Sequence, residues 1–473
     1  MRAYSLQRLS DEDRAILELE SQTIAGHTCK VLVLEPCAAA GARLEVLRRR
    51  IATRLADVPR LRQRLVPTPL GLAAPVWADD PRFDIANHVL PIGDRPINAE
   101  GLPELVAMLM RGRLDRSRPL WSLHVAGLED GGAALIWRIH HCMADGTAAL
   151  RLGAEMLWDA DPNASPAIVA TAWSPARVPG RLPLLLAGGW HRLRKLAHSR
   201  PPVLRAPMRG GPKRFFATIR RELRQGNGHS PFDASRLSAD RAVAFVSAPL
   251  SDLKWIGCSV GGDATINDVL LALIAGGLRY WMEADGRAPI SLGAKVPVSL
   301  HHGEQLGNRD SFFCVELPVW EADPVERLRL IHEATSIRKT QHDAEALDAV
   351  FRGRSRTPIP LTRFLARRAD DPRVAALCIS NVPGPRVPIF VGAARVRELY
   401  SVAEIGERHA LRVSAISFAG TLSLGFCAEP TAVPRLEIMV EGVSRELASL
   451  NARVPDSGPR IGPLDTPARR PSA

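Results

Sequence analysis

The sequence predicts a mixed α/β protein, because strand-like and helix-like segments alternate along its whole length. Three segments carry that expectation. VLVLEP (Val31 to Pro36) reads as a strand and LEVLRRRIATRLADV (Leu44 to Val58) as a helix, while LRVSAISFAGTLSLGF (Leu411 to Phe426) reads as a hairpin turning at Ala419 and Gly420. With 473 residues and 46% hydrophobic content, the chain is long enough for two domains with substantial cores, and general disorder is excluded. Residues 1–162 read as a first half, 163–235 as a Pro- and Gly-rich crossover, 236–455 as a second half, and 456–473 as a disordered tail of Pro, Gly and Arg.

The most informative stretch closes the first half. Ala133 to His141 (AALIWRIHH) is a short apolar run that reads as a buried strand, and HHCMADG (His140 to Gly146) begins where that run ends. Side chains alternate across a strand, so Trp137, Ile139 and His141 share one face while Arg138 and His140 share the other. Only one of the two histidines can face a given cavity. His141 is the candidate general base, since an imidazole titrates near neutral pH; His140, beside Arg138, is expected to be a satisfied core residue. From Thr147 to Trp158 the spacing turns helical, with Leu150, Ala154 and Leu157 recurring. Asp145 then falls at a strand-to-helix turn, where a carboxylate caps free N–H groups, and is expected to position the loop. Cys142 has no base and orienting partner of its own and reads as a bystander. A metal site is not expected, because no HExxH, CxxC or Cys/His cluster accompanies the motif.

Around HHCMADG the chain resembles the bacterial wax ester synthase/acyl-CoA:diacylglycerol acyltransferases, a branch of the HHxxxD acyltransferases. LSDEDRAILELE (Leu9 to Glu20) resembles the family's opening helix, PVWADDPRFDIANHV (Pro75 to Val89) its Trp, Phe-Asp, His segment, and LDRSRPLW (Leu114 to Trp121) the stretch before the His motif. In the second half TINDVLLALIAGGLRYW carries Asn267 and Asp268, KVPVSLH runs from Lys295 to His301, and Gly307, Asn308 and SNVPGP (Ser380 to Pro385) follow. The chain departs from the family at Ala25-Gly26-His27 (usually Pro-Met-His), at Ser417-Phe418-Ala419-Gly420 (usually Ser-Tyr-x-Gly), and near the end, where Glu429 is followed by Arg435 rather than a second acid.

The resemblance implies two similar lobes of the chloramphenicol acetyltransferase-like fold with an active-site channel between them. It implies an acyltransferase that takes acyl-CoA as co-substrate, with no further cofactor, and acylates diacylglycerol or a long-chain fatty alcohol, diacylglycerol first. His141 would be the base, with His140, Asp145 and Gly146 completing the motif. Asn267, Ser380 and Asn381 are the candidate donors to the reacting oxygen, against the structural alternatives that Asn267 and Asp268 cap a helix and SNVPGP shapes a turn. Other readings are an HHxxxD enzyme acting on another hydrophobic alcohol, or a non-catalytic lipid-surface binding protein.

The charge bears on location. The net +12 comes almost entirely from arginine, since Lys30, Lys195, Lys213, Lys254, Lys295 and Lys339 are the only lysines, and arginine suits anionic phosphates. From Arg181 to Arg224 there are twelve basic residues against one acid, Glu222, together with Trp190, Phe215 and Phe216. This stretch reads either as a solvated linker or as a contact with a membrane or lipid-droplet surface. Nucleic acid is not expected as a partner, because no nucleic-acid module is recognisable. Seven scattered cysteines without paired spacing suggest reduced thiols, and no export signal or spanning segment is visible. The expected location is cytoplasmic, peripheral to the inner membrane or a lipid droplet.

Overall fold

The computed structural model describes residues 7–36, 44–93, 95–161, 173–197, 230–232, 237–260, 262–299, 310–340, 371–372, 374–406 and 408–454. The expected tail, most of the basic stretch beyond residue 197, and His301, Gly307 and Asn308 lie outside the described residues. In the first half the elements are α1 (Asp11–Leu19), β1 (His27–Leu34), α2 (Leu44–Arg54), β2 (Gln63–Val66), β3 (Val76–Asp79), β4 (Val89–Pro91), α3 (Leu102–Arg111), β5 (Trp121–Gly127), β6 (Ala133–His140) and α4 (Gly146–Met156). After them come α5 (Arg181–Ala197), β7 (Ala242–Pro249), α6 (Leu250–Ser259), α7 (Ile266–Ala284), β8 (Leu292–Ser299), β9 (Asp310–Leu317) and α8 (Pro324–Thr340). The chain then runs through β10 (Leu377–Pro383), β11 (Phe390–Val391), β12 (Ala394–Ala403), β13 (Leu411–Phe418), β14 (Thr421–Ala428) and α9 (Leu436–Asn451).

Two six-stranded sheets organise these elements. The first has the order β11-β12-β1-β6-β5-β4 and the second β7-β14-β13-β10-β8-β9. The first sheet is thus completed by residues 390–403, so the two sheets do not divide at the sequence boundary between first and second halves. Its centre is formed by β1 and β6, whose residues are all buried, as expected of strands covered on both faces. The alternation along β6 separates two cores: Leu135, Trp137 and Ile139 pack with Leu47 and Ile51 of α2 and Ala149 of α4, whereas Ala134 and Ile136 join Val106 of α3 and the apolar body of α7.

The expected local signals match the observed elements. Residues 411–428 form an antiparallel hairpin, turning at Ala419 (φ 45°) and Gly420 (φ 90°). α4 starts one residue before the expected Thr147, with Asp145 as its N-cap. α7 begins at a capping box in which Thr265 and Asp268 satisfy one another's backbone N–H groups, and this fixes the helix start sharply. Part of the expected crossover is helical, as α5.

Candidate functional site

The two adjacent histidines enter different environments, as strand alternation requires. His140 is 1% exposed. Its Nδ1 accepts a hydrogen bond from the Cys142 backbone N at 3.1 Å, which places the proton of the neutral ring on Nε2. That nitrogen lies 3.4 Å from Oε2 of Glu20, whose side chain is nearly inaccessible. Burial raises the Glu20 carboxyl, but hydrogen bonds from His140 and Arg116 outweigh it and hold the group below its ordinary value. His140 is therefore enclosed in a buried network away from the cavity. The departure at Gly26 belongs to the same network: with φ +68°, a Cβ there would stand 2.8 Å from His140 Nε2, closer than real contacts allow.

His141 lies one residue beyond β6, where its backbone N donates to Gly26 O at 3.0 Å. Its side chain lines a cavity of about 90 Å³ together with Thr28, Lys30, Gly146, Ser380, Asn381, Ser401, Arg412 and Ser414. Burial, with Arg412 nearby as the second cause, pushes its imidazole down to about 3. The ring is neutral at physiological pH, and a neutral imidazole carries one nitrogen able to accept a proton.

Asp145 is 1% exposed, and its Oδ1 accepts from Ala148 N at 2.7 Å, so the carboxylate closes the first turn of α4. Gly146 follows, at the point where α4 meets β10: a Cβ there would fall 2.8 Å from Cγ2 of Val382. Only glycine lets the helix start approach the strand that closely.

The remaining walls come from strand register. In the first sheet Lys30 of β1 stands opposite Ser401 of β12, and Thr28 opposite Ala403. In the second, β10 and β13 run parallel with Ser380 beside Ser414, and Ser380 Oγ donates to Ser414 Oγ at 3.3 Å. The cavity thus lies between the two sheets. It unites His141, Gly146, Ser380 and Asn381, which are separated by more than two hundred residues of sequence.

Asn267 is not among the residues that line it. It sits in the first turn of α7, where Asp268, the partner of N-cap Thr265 in the capping box, also accepts from Thr335 Oγ1 at 2.6 Å and pairs with His332 Nδ1 at 3.1 Å. Of the Asn267–Asp268 pair, the aspartate therefore takes part in the capping box of the helix, in line with the structural alternative. Cys142 is buried in a cluster with Trp77 and Leu120, where burial pushes its thiol up and away from the reactive thiolate. Among the described residues no three His, Cys, Asp or Glu side chains come together as a metal site.

Thr28, Lys30, Ser401, Arg412 and Ser414 were not singled out from sequence. Lys30 did leave a signal, as the one charged side chain inside the apolar run HTCKVLVL; Thr28 in the same run left none, nor did Ser401, Arg412 and Ser414, which reach the cavity through pairing in distant segments. Other family-like segments serve the scaffold. Phe83 stacks on His88 (5.1 Å) and His88 on Trp121 (4.6 Å), while Trp121 Nε1 donates to Leu61 O at 2.7 Å.

Two sheet-based lobes around a cavity that holds an HHxxxDG histidine define the chloramphenicol acetyltransferase-like class, and the comparisons agree. A wax ester synthase/diacylglycerol acyltransferase from Marinobacter aquaeolei has a similar structure, with a TM-score of 0.69 at 21% identity, covering 95% of this chain and 100% of that one. The first condensation domain of the CDA synthetase shares the fold with a TM-score of 0.58 at 16% identity, covering 96% and 98%. Residues 9–270 match the wax ester synthase/diacylglycerol acyltransferase catalytic domain and residues 306–451 the WS/DGAT C-terminal domain. A Mycobacterium tuberculosis protein whose name assigns it provisionally as a diacylglycerol O-acyltransferase is 32% identical over 453 residues, 90% of this chain and 93% of that protein. A probable diacylglycerol O-acyltransferase of the same organism is 31% identical over 427 residues, covering 85% and 87%. The chain belongs to the wax ester synthase/diacylglycerol acyltransferase family, and it is an acyltransferase.

Proposed function

We propose that the enzyme transfers an acyl group from acyl-CoA to the hydroxyl of diacylglycerol, with long-chain fatty alcohol as a second acceptor, and that His141 is the general base. The observation that carries this reading is the cavity itself, in which His141 meets Ser380 and Asn381 from the other sheet while His140 faces elsewhere. His141 takes the hydroxyl proton as the alcohol oxygen attacks the thioester carbon, and the imidazolium returns that proton to the departing thiolate. An imidazole held near 3 by burial is a weak base. A tetrahedral oxyanion forming beside it favours the charged ring and raises its proton affinity as the reaction proceeds. Asp145 and Gly146 are positioning residues for this step, and of the expected donors Ser380 and Asn381 line the cavity. A cavity of about 90 Å³ accommodates the reacting groups rather than whole lipids, whose binding pockets usually run to several hundred Å³; both chains must therefore extend beyond it.

Residues 1–162 and 236–455 are proposed as the two working lobes, with strands β11 and β12 of the second completing the sheet of the first. Among the described residues no helix is long and apolar enough to cross a membrane, and lipid acceptors partition into one, so the reading includes reversible contact with a membrane or lipid-droplet surface. Its support is α5. Gly188 seats that helix against Thr68, and Leu184 is buried, yet Leu182, Leu186, Trp190 and Leu193 are exposed at 60–66%. Their spacing makes one outward stripe, and Arg192 and Arg194 are exposed beside it.

Purified enzyme given palmitoyl-CoA and equal amounts of dioleoylglycerol and hexadecanol tests the reading directly. Triacylglycerol should dominate the product, and His141→Ala should yield neither ester. A product pool of wax ester alone would reverse the acceptor order, and a fully active, folded His141→Ala would remove the base assignment.

A further inference from the structure

The cavity around His141 receives two donor-only side chains, Lys30 and Arg412, among its lining residues. Lys30 is 1% exposed and its Nζ donates to Ser401 Oγ at 2.6 Å, which leaves two further N–H bonds on the ammonium. Thr28, 3% exposed, has an Oγ1 without a hydrogen-bond partner among the described residues. Arg412 spends Nη1 on the Glu404 carbonyl at 3.2 Å, while its Nε is buried and has no partner among them. No carboxylate is found among the described residues that line the space. Buried donors are ordinarily satisfied, and a group of them converging on a cavity calls for an acceptor that arrives with the ligand.

We propose that Lys30 is a catalytic residue, its ammonium, with Thr28 and Arg412 beside it, holding the oxyanion formed at the thioester carbonyl. This rests on the reading of the cavity as the site of acyl transfer. As the alcohol oxygen bonds to the carbonyl carbon, the C=O π pair moves onto oxygen, and that charge is held by Lys30. Collapse restores C=O and breaks C–S; the bonding pair leaves on sulphur, which takes the proton from the His141 imidazolium, giving ester and free thiol. One cation thus sits on the oxygen that gains charge, and one transient cation on the atoms that exchange the proton.

The titratable and charged groups facing Lys30 are Asp145 and the neutral His141 from the β6–α4 turn, Arg412 from β13 and the Cys29 thiol on its own strand, which burial pushes up to about 12. Burial is the largest influence and pushes Lys30 down to about 8, so it is mostly protonated at neutral pH and loses its charge just above. Steady-state kinetics with palmitoyl-CoA and the neutral acceptor dioleoylglycerol tests the assignment. Lys30→Met should keep its melting temperature, since it removes a buried charge, lose kcat by roughly 100-fold, and leave both KM values within about twofold of wild type. The wild-type kcat should decline through pH 8, and the residual activity of Lys30→Met should lack that decline. A wild-type kcat in Lys30→Met, a loss confined to the KM for either substrate, or an alkaline limb unchanged in the variant would overturn the proposal. Should Lys30→Met not fold, Lys30→Arg carries the test: its cation does not titrate in this range, so activity should persist with the alkaline limb displaced upward, and a limb still at pH 8 overturns the assignment. Failure of the underlying reading is distinct, because it would appear as full activity in His141→Ala whatever Lys30 does.

Discussion

Gly146, at the start of α4, and Val382 of β10 touch so closely that a single added methyl would stand 2.8 Å from the valine Cγ2. That contact bears on the width of the cavity, since the turn carrying His141 runs through the cap residue Asp145 into α4, while β10 carries Ser380 and Asn381. Gly146→Ala should push the two apart. We expect a destabilisation of about 1–3 kcal/mol from overpacking and a loss of kcat larger than the loss of stability explains. A companion Val382→Ala should relieve the clash and recover activity; thermal melts and kinetics on the single and double variants provide the check.

The unequal histidines give a second expectation. His140→Ala removes a partner of the buried Glu20 carboxylate, so it should lower stability by about 1–3 kcal/mol while the folded fraction retains turnover. Asp145→Ala removes the α4 cap, at a cost of about 1 kcal/mol, and should reduce kcat because the cap residue fixes the loop that holds His141. Denaturant titrations alongside single-turnover rates separate the two effects. A His140→Ala enzyme that is stable yet dead would contradict the scaffold role.

Acid should destabilise the fold in a defined window. His124 is pushed down to about 4 and His141 to about 3, in both cases chiefly by burial, and burial likewise holds His88 and His27 below their ordinary value. In the unfolded chain these groups take up protons near pH 6.5. Between there and their folded values the unfolded state binds more protons, so stability falls as pH falls. Glu404 and Glu446, both raised by burial, work in the opposite sense, two groups against four. The melting temperature should drop on going from pH 7 to 5, and His124→Asn should flatten the slope; an unchanged slope would show that this ring is not held neutral.

Vesicle binding should depend on the outward stripe of α5. Replacing Leu186, Trp190 and Leu193 with serine should lower binding to anionic vesicles and activity on vesicle-borne acceptor, leaving turnover of a short soluble alcohol intact. Neutralising Arg192 and Arg194 should weaken binding most at low salt, because attraction of about 1 kcal/mol per basic residue is screened as salt rises. Sedimentation with anionic liposomes reads both. Equal pelleting of wild type and the serine variant would return α5 to a plain connecting helix.

The sequence by itself determined what depends on neighbours along the chain. Alternation on β6 separated His140 from His141, the polar residue before a helical run made Asp145 a cap, and the hairpin at Ala419 and Gly420 was visible in its own turn residues. These are local properties, fixed by backbone period and short-range hydrogen bonding. The tertiary structure alone decided which distant strands share the cavity. Lys30 meets Ser401 because β12 of the second half pairs with β1 of the first, and Ser380 meets Ser414 because β10 and β13 run parallel. Asn267 shows the same limit: a motif residue with a suitable donor group lies in the first turn of α7 and does not line the cavity. Strand partnership across hundreds of residues depends on the summed packing of both cores, and no local pattern encodes it.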